Sequence, residues 1–113
     1  MDKQSIAMRV LALPEEIEAA EKELINAEMS LRAAKANLQH KEDGLLLGVF
    51  DGIVIDGKNA ETRNAQIRSH TESEREAVMN CEMELTRVRY RVERLHNEFR
   101  ALQAVAGMLR EVA

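Results

Sequence analysis

The chain has no tryptophan, one proline and one cysteine, and aromatic residues make up 3% of its 113 residues. So few aromatic side chains argue against a β-sandwich or an enzyme core. A single cysteine cannot form an internal disulfide, so we interpret Cys81 as a small buried hydrophobe in a reducing compartment. No apolar run approaches the roughly 18 residues that cross a bilayer, and the first residues predict no signal peptide. We therefore expect a cytoplasmic protein without a membrane partner.

The length and charge of the chain further limit its possible fold and function. A chain of 113 residues forms one small domain, which is marginal in stability unless it oligomerises or packs very regularly. Charged residues make up 32% of the chain, which is typical of long solvated helices. The formal net charge of -4 argues weakly against a non-specific nucleic-acid binder.

What the chain does contain is two seven-residue ladders of apolar residues. The first ladder consists of Val10, Ile17, Leu24, Leu31, Leu38 and Leu45, interleaved with Leu13, Ala20, Ala27 and Ala34. The second ladder consists of Val78, Leu85, Val92, Phe99 and Ala106, interleaved with Cys81, Val88, Leu95, Leu102 and Leu109. This spacing is typical of coiled coils. We therefore predict an all-α or mainly α fold, an antiparallel helical-hairpin coiled coil.

Start and stop signals divide this single domain into elements. The prediction is a short helix at 5–12, helix A at 14–45, a tip at 46–71 and helix B at 72–112, within one domain of residues 1–113. Pro14 suits the first turn of a helix, where its missing N–H leaves no bond unmade. Thr71 and Glu74 form a capping box, which predicts the start of helix B.

The tip carries most of the glycine. Asp51-Gly52 separates the apolar runs 46–50 and 53–55, and this dipeptide favours a type I′ turn between two strands. We therefore predict a small β-hairpin. Asn59 is a suitable N-cap for a further short helix at 60–69.

Charges beside the ladders predict the register of the hairpin. Complementary pairs arise when the residue numbers of partners sum to 117: Glu42 with Arg75, Lys35 with Glu82, Glu28 with Arg89, and Glu21 with His96. On the other flank Glu23 meets Arg91 favourably, whereas Glu16 meets Glu98. Each exposed pair contributes only about 0–1 kcal/mol, so the pairs select the register more than they stabilise it.

No catalytic or metal-binding constellation is present in the sequence. The three histidines have no second histidine or cysteine at helical spacing, and the carboxylates are dispersed at salt-bridge spacing. We therefore expect no enzyme, no metal and no cofactor.

Three groups of residues are candidates for binding. A second apolar stripe, which includes Ile25, Met29, Met79 and Met83, predicts a homodimer or a larger bundle unless these are ordinary surface residues. In the tip, the candidates for contact with a protein partner are Phe50, Ile53, Lys58, Asn59, Glu61 and Arg63, although the same residues suit a simple closure of the hairpin. On helix B a strip of Arg87, Tyr90 and Arg94 suits nucleic acid or an acidic partner, although i,i+4 pairs with glutamates favour a solvated face.

The tip also carries a resemblance. The stretch Ile55-Asp-Gly-Lys-Asn-Ala-Glu-Thr-Arg-Asn-Ala-Gln66 between two long helices resembles small coiled-coil proteins encoded by bacteriophages and related mobile elements. That resemblance implies a phage or prophage setting, in a bacterial cytoplasm, and no known reaction. In architecture alone, the order helix, β-hairpin, helix is similar to the β-type prefoldin subunit.

Three functions follow as expectations. The first is a non-enzymatic coiled-coil protein that self-associates and presents residues 46–71 to another macromolecule. The second is a prefoldin-like chaperone, which predicts exposed hydrophobic residues at Val10 to Leu13 and at Met108 to Val112. The third is a nucleic-acid accessory protein, which predicts steeply salt-dependent binding.

Overall fold

The computed structural model describes residues 2–112, with the side chain of residue 112 left out, and contains three helices in that range. They are α1 (Lys3–Leu47), α2 (Ala60–His70) and α3 (Glu72–Val112). Helices α1 and α3 pack together as a hairpin, so the predicted all-α hairpin is confirmed. The contacts divide the chain into two compact units. Unit 1 contains α1 through Ala27 and α3 from Leu85 onward, and unit 2 is Glu28–Glu84.

The two ladders form the core of both units. Every ladder residue is buried or half-buried. In unit 1, Leu13, Ala20 and Leu95 form a buried cluster, against which Ile17, Val92, Phe99 and Leu102 pack. In unit 2, Ala34 and Leu45 of the first ladder are buried. The interleaved alanines are buried, whereas most of the larger ladder residues are only half-buried, so each layer of the core is thin.

Helix α1 does not break at Pro14. The sequence predicted a short helix at 5–12 and a new helix from Pro14, whereas one helix runs from Lys3 to Leu47 with Pro14 inside it. A proline in a helix interior removes one backbone hydrogen bond and costs about 3 kcal/mol. Packing on both sides of Pro14 offsets this cost, because Leu13 before it and Ala20 after it are both fully buried. Tertiary contacts therefore override the local signal.

An ion cluster around Arg9 also spans the proline. The Arg9 guanidinium donates through Nε and Nη2 to the two carboxylate oxygens of Glu98, at 2.6 and 3.0 Å. Its Nη1 lies 2.6 Å from Oε2 of Glu16, on the other side of Pro14. The hydrogen bond from Arg9 lowers the pKa of Glu98, and the same bond raises the pKa of Arg9. Arg9 thus offsets the repulsion that the sequence register placed between Glu16 and Glu98.

Two of the predicted flanking contacts are confirmed. His96 Nε2 lies 2.9 Å from Oε1 of Glu21, and Arg91 Nη1 donates to Oε2 of Glu23 at 2.6 Å. In unit 2, Arg75, which was predicted to pair with Glu42, donates instead to the carbonyl oxygen of Arg68. The register of unit 1 is therefore the one that the charges select.

Helix α1 ends in a Schellman motif at Gly48. The N–H of Gly48 donates to the carbonyl of Leu45 at 3.3 Å, and the N–H of Val49 donates to the carbonyl of Gly44 at 3.1 Å. This pair of bonds needs a left-handed residue after the helix, and Gly48 has φ of 70°. Residues 46–50, predicted as a strand, are therefore the last turn of a helix and its cap.

The β-hairpin prediction is wrong, since residues 2–112 contain no strand. The N–H of Ile53 donates to the carbonyl of Phe50 at 3.3 Å, which closes a turn around Asp51-Gly52. Gly52 has φ of 78°, but Asp51 does not have a positive φ. This is the pattern of a type II turn, whose twist does not suit a two-stranded ribbon. Residues 53–57 are instead irregular, with Ile53 and Ile55 half-buried and Val54 exposed.

Helices α2 and α3 begin close to where the sequence placed them, but with one different cap. The Asn59 side chain accepts from the N–H of Thr62 at 2.8 Å, as expected for an N-cap. The capping box at Thr71 does not form in the predicted way. The Thr71 hydroxyl donates back to the carbonyl of Ile67 at 2.8 Å, and Glu74 accepts from the hydroxyl of Ser73. Thr71 is 1% exposed, so it serves as a buried joint between α2 and α3.

Candidate functional site

The polar residues of the tip motif, residues 55–66, mostly bind one another. Gln66 donates from Nε2 to Asp56 at 2.8 Å and accepts at Oε1 from the N–H of Gly57 at 2.9 Å. Arg63 donates from Nη1 to the carbonyl of Gly57 at 3.1 Å. A Cβ on Gly57 would lie 2.7 Å from the backbone nitrogen of Arg63, so only glycine fits at this position. The motif is a closed loop that fixes the start of α2.

This closure separates the predicted tip residues into two groups. Asn59 and Arg63 serve the internal hydrogen bonds of the motif. Lys58 and Glu61 are exposed, and their side chains make no hydrogen bond or ion pair with the described part of the chain. Ile53 is half-buried. The sequence therefore identified residues that mostly build the tip.

Phe50 anchors the tip to α1. A Cβ on the buried Gly44 would lie 2.6 Å from Cε2 of Phe50, so the ring occupies the space that this glycine leaves free. Lys41 Nζ lies over the ring, 4.6 Å from its centroid, at the distance of a cation–π contact. Lys41 also pairs with Glu74 of α3 at 3.8 Å. Phe50 thus links the turn to α1 and is half-buried, and Lys41 in turn connects this contact to α3.

The exposed apolar residues of the tip are ones that the sequence interpretation did not select. They are Leu46, Leu47, Val49 and Val54, which are 59%, 79%, 65% and 71% exposed. Leu47 and Val49 line a groove of about 400 Å³, which we call the tip groove and which His40, Asp43, Gly44 and Phe50 complete. The available signal was the run Leu45-Leu46-Leu47, because only Leu45 belongs to the ladder.

A second groove lies within unit 1. We call it the terminal groove. Its volume is about 470 Å³, and its apolar lining consists of Ile6, Ala7, Val10, Leu11, Ala106 and Leu109. Lys3 and Arg110 complete the lining, and both are exposed. Leu11 is 79% exposed and Met108 is 65% exposed, whereas Leu13 is fully buried.

The second apolar stripe is exposed but does not form one surface. Met29, Met79 and Met83 of unit 2 are 60%, 55% and 65% exposed, and Ile25 of unit 1 is 55% exposed. Met29 and Met83 each lie two residues after an interleaved position of their ladders, which is the heptad position that faces away from the partner helix. They therefore lie on two separate faces of unit 2.

The arginine strip of α3 is partly neutralised. Arg87 and Arg91 both donate to the carboxylate of Glu23, at 3.1 and 2.6 Å. Tyr90 is 69% exposed, and Arg94 is exposed and lowers the pKa of Glu98 by its charge. The strip thus faces carboxylates as well as solvent, which weakens its attraction for phosphate.

Neither a metal site nor a membrane span is found in the described residues. No group of three or more histidine, cysteine, aspartate or glutamate side chains there is arranged to hold a metal ion. None of the helices, within the same residues, is long and apolar enough to cross a membrane. The two apolar grooves and the exposed tip residues are apolar surfaces of this part of the chain.

Comparison of the chain with protein-family models, with curated proteins and with solved structures found no match.

Proposed function

We propose that this chain is a non-enzymatic coiled-coil interaction protein that self-associates and presents its tip to a macromolecular partner. We place it in the cytoplasm of a bacterial host, as a phage or prophage accessory protein, on the resemblance of residues 55–66. The observation that carries the proposal is the exposure of Leu46, Leu47 and Val49 beside a turn that internal bonds hold rigid. A fixed cluster of exposed apolar side chains is typical of a binding surface.

Self-association is supported by the surface that the chain leaves uncovered. The chain exposes 8406 Å², whereas a folded monomer of this mass typically exposes about 6,300 Å². It buries about 55% of the surface of its unfolded chain, less than the roughly 60% of a domain half its length. The excess of about 2,100 Å² exceeds the roughly 800 Å² per partner that a standard interface covers. Association through a stripe face would cover part of this excess.

The first experiment measures mass in solution. Light scattering after gel filtration should give at least twice the 12.8 kDa chain mass at micromolar concentration. Replacing Met29 and Met83 by glutamate tests the two stripe faces, and we expect weaker association. A matched control replaces exposed Arg32 and Arg89 by glutamate, which should leave the mass unchanged. A 12.8 kDa particle at every concentration would contradict self-association.

The second experiment tests the tip. Replacing Leu47 and Val49 by aspartate should abolish tip-dependent binding without reducing helicity, because both side chains are exposed. Replacing exposed Lys58 by glutamate provides the control, with the polar surface of the tip changed and the apolar surface intact. Equal binding by the Leu47 and Val49 variant and the wild type would contradict a role for the apolar tip.

A prefoldin-like chaperone is the second candidate, and the exposure of Leu11 and Met108 favours it. Such a protein should suppress the aggregation of an unfolded client at stoichiometric concentration, and the substitution of Leu11 and Met108 by serine should remove this effect. Nucleic-acid binding through Arg87, Tyr90 and Arg94 is a weaker candidate because Glu23 already pairs with Arg87. Such binding would show an affinity for nucleic acid that falls steeply as the salt concentration rises.

A further inference from the structure

We infer that the macromolecular partner of the tip is a second copy of this chain, and that the tip of one copy binds in the terminal groove of the next. The inference rests on the proposed self-association and specifies which two surfaces meet. Each surface lies within one of the two compact units, the tip in unit 2 and the terminal groove in unit 1.

The tip presents a cluster of exposed apolar side chains on a fixed backbone. Leu47 is 79% exposed and Val49 is 65% exposed, and the Schellman motif at Gly48 fixes the chain between them. Phe50 packs against Gly44 on the same turn of the chain. Because the backbone that carries Leu47 and Val49 is already fixed, a partner that covers these side chains gains apolar burial at a reduced cost in backbone ordering.

The terminal groove is the matching concave surface. Ala7 and Ala106 are among its lining residues, and their small side chains fill little of the volume of about 470 Å³. Ile6 is buried, whereas Val10, Ala106 and Leu109 are half-buried ladder residues that no other part of the described chain covers fully. The groove therefore exposes the last layers of the unit 1 core, and apolar side chains of a second copy would cover those layers.

The charges beside the two surfaces are opposite in sign. Lys3 and Arg110 line the terminal groove, and neither makes an ion pair within the described residues. On the tip, Asp43 lies one helical turn before Leu47 and Asp51 lies two residues after Val49, and both carboxylates are exposed. Lys41, which also lies near Phe50, is already engaged by Glu74 and by the Phe50 ring. Unlike charges steer such a contact, whereas tip-to-tip and groove-to-groove contacts would juxtapose like charges.

The resulting interface is heterologous, because the two partners use different surfaces. Each added copy leaves one tip and one terminal groove unoccupied, so the assembly grows until it closes. Association through the methionine stripe alone does not require this property. Heterologous association therefore gives a different experimental result from association through the stripe.

The experiment exchanges the charges of the two surfaces. The groove variant carries Lys3→Glu with Arg110→Glu, and the tip variant carries Asp43→Lys with Asp51→Lys. Each variant alone should remain a 12.8 kDa monomer, or assemble only at a concentration at least tenfold higher than the wild type does. An equimolar mixture should assemble again, because its two kinds of contact pair opposite charges. The control, Arg32→Glu with Arg89→Glu, reverses two exposed arginines elsewhere and should assemble like the wild type.

Circular dichroism should show the same helicity in every variant, which separates a lost contact from a lost fold. The inference is overturned if both variants assemble like the wild type while Met29→Glu with Met83→Glu does not. In that case self-association stands and uses the stripe. If only the groove variant assembles, the contact is tip to tip. If only the tip variant assembles, the contact is groove to groove. Either result also overturns the inference. A wild type that stays monomeric but captures an unfolded client contradicts both the inference and the proposed function.

Discussion

Substitution of Gly44 by alanine should destabilise the protein, although alanine is the better helix former. A glycine in a helix interior is worse than alanine by about 0.5–1 kcal/mol, so the substitution would be stabilising at an open position. At Gly44 the added Cβ would lie 2.6 Å from Cε2 of Phe50 and 3.1 Å from Cγ2 of Val49. An overpacked methyl group typically costs about 1–3 kcal/mol. The net expectation is a loss of about 1 kcal/mol in the free energy of unfolding.

The matched control is Gly107→Ala. Gly107 lies inside α3, and a Cβ at this position would meet no atom within 4 Å. This substitution should therefore stabilise the protein by up to about 1 kcal/mol. Urea denaturation followed by circular dichroism measures both changes on the same scale.

A double-mutant cycle with Phe50→Ala identifies the cause. If the Phe50 ring is what the new methyl group meets, Gly44→Ala should cost much less in the Phe50→Ala background than in the wild type. The reasoning is refuted if Gly44→Ala stabilises the protein as much as Gly107→Ala does, or if its cost is unchanged once the ring is removed.

Three further outcomes follow from the fold. Leu13→Ala, at a fully buried position, should cost about 2–5 kcal/mol in chemical denaturation, whereas Leu11→Ala, at a 79% exposed position, should change stability by less than about 0.5 kcal/mol. The bond from Arg9 holds the pKa of Glu98 below its ordinary value of 4.5, so the stabilisation by the ion pair is present above that pH and is lost as the pH falls. The melting temperatures of Glu98→Gln and the wild type should therefore differ at pH 7 and converge in acid. Gly48→Ala should cost about 1–2 kcal/mol in thermal denaturation because Gly48 has φ of 70°, and an equal stability of the two proteins would contradict the Schellman assignment.

The sequence predicted the hairpin because ladder spacing reports long-range packing directly. Residues such as Leu13, Val88 and Leu95 recur on one helix face, and only another apolar face can cover them. Pro14 was misleading because a local rule was applied where tertiary contacts decide. The cost of one proline is smaller than the gain from burying the ladder on both sides of it.

The turn and the binding surface were less predictable for different reasons. Asp51-Gly52 is compatible with more than one turn type, and the φ of Asp51 that separates them is not encoded in the dipeptide. In the tip motif, Gln66 and Arg63 satisfy backbone groups close to them, which sequence spacing does not reveal. The apolar pattern from Leu46 to Val49 fits neither the periodicity of a helix nor that of a strand. Its exposed side chains could therefore be located only in the structure.

The proline inside α1 has one more consequence, which concerns local opening. Because Pro14 has no amide hydrogen, one backbone hydrogen bond is missing between residues 3–13 and the rest of α1. Side chains such as Ile6 and Arg9 hold this segment in place instead. We therefore expect this segment to open locally more readily than the rest of α1, and its amides should exchange with solvent deuterium faster than those of residues 17–27. Five of the eight residues that line the terminal groove belong to this segment, so its local opening should open the groove while the rest of the hairpin stays folded.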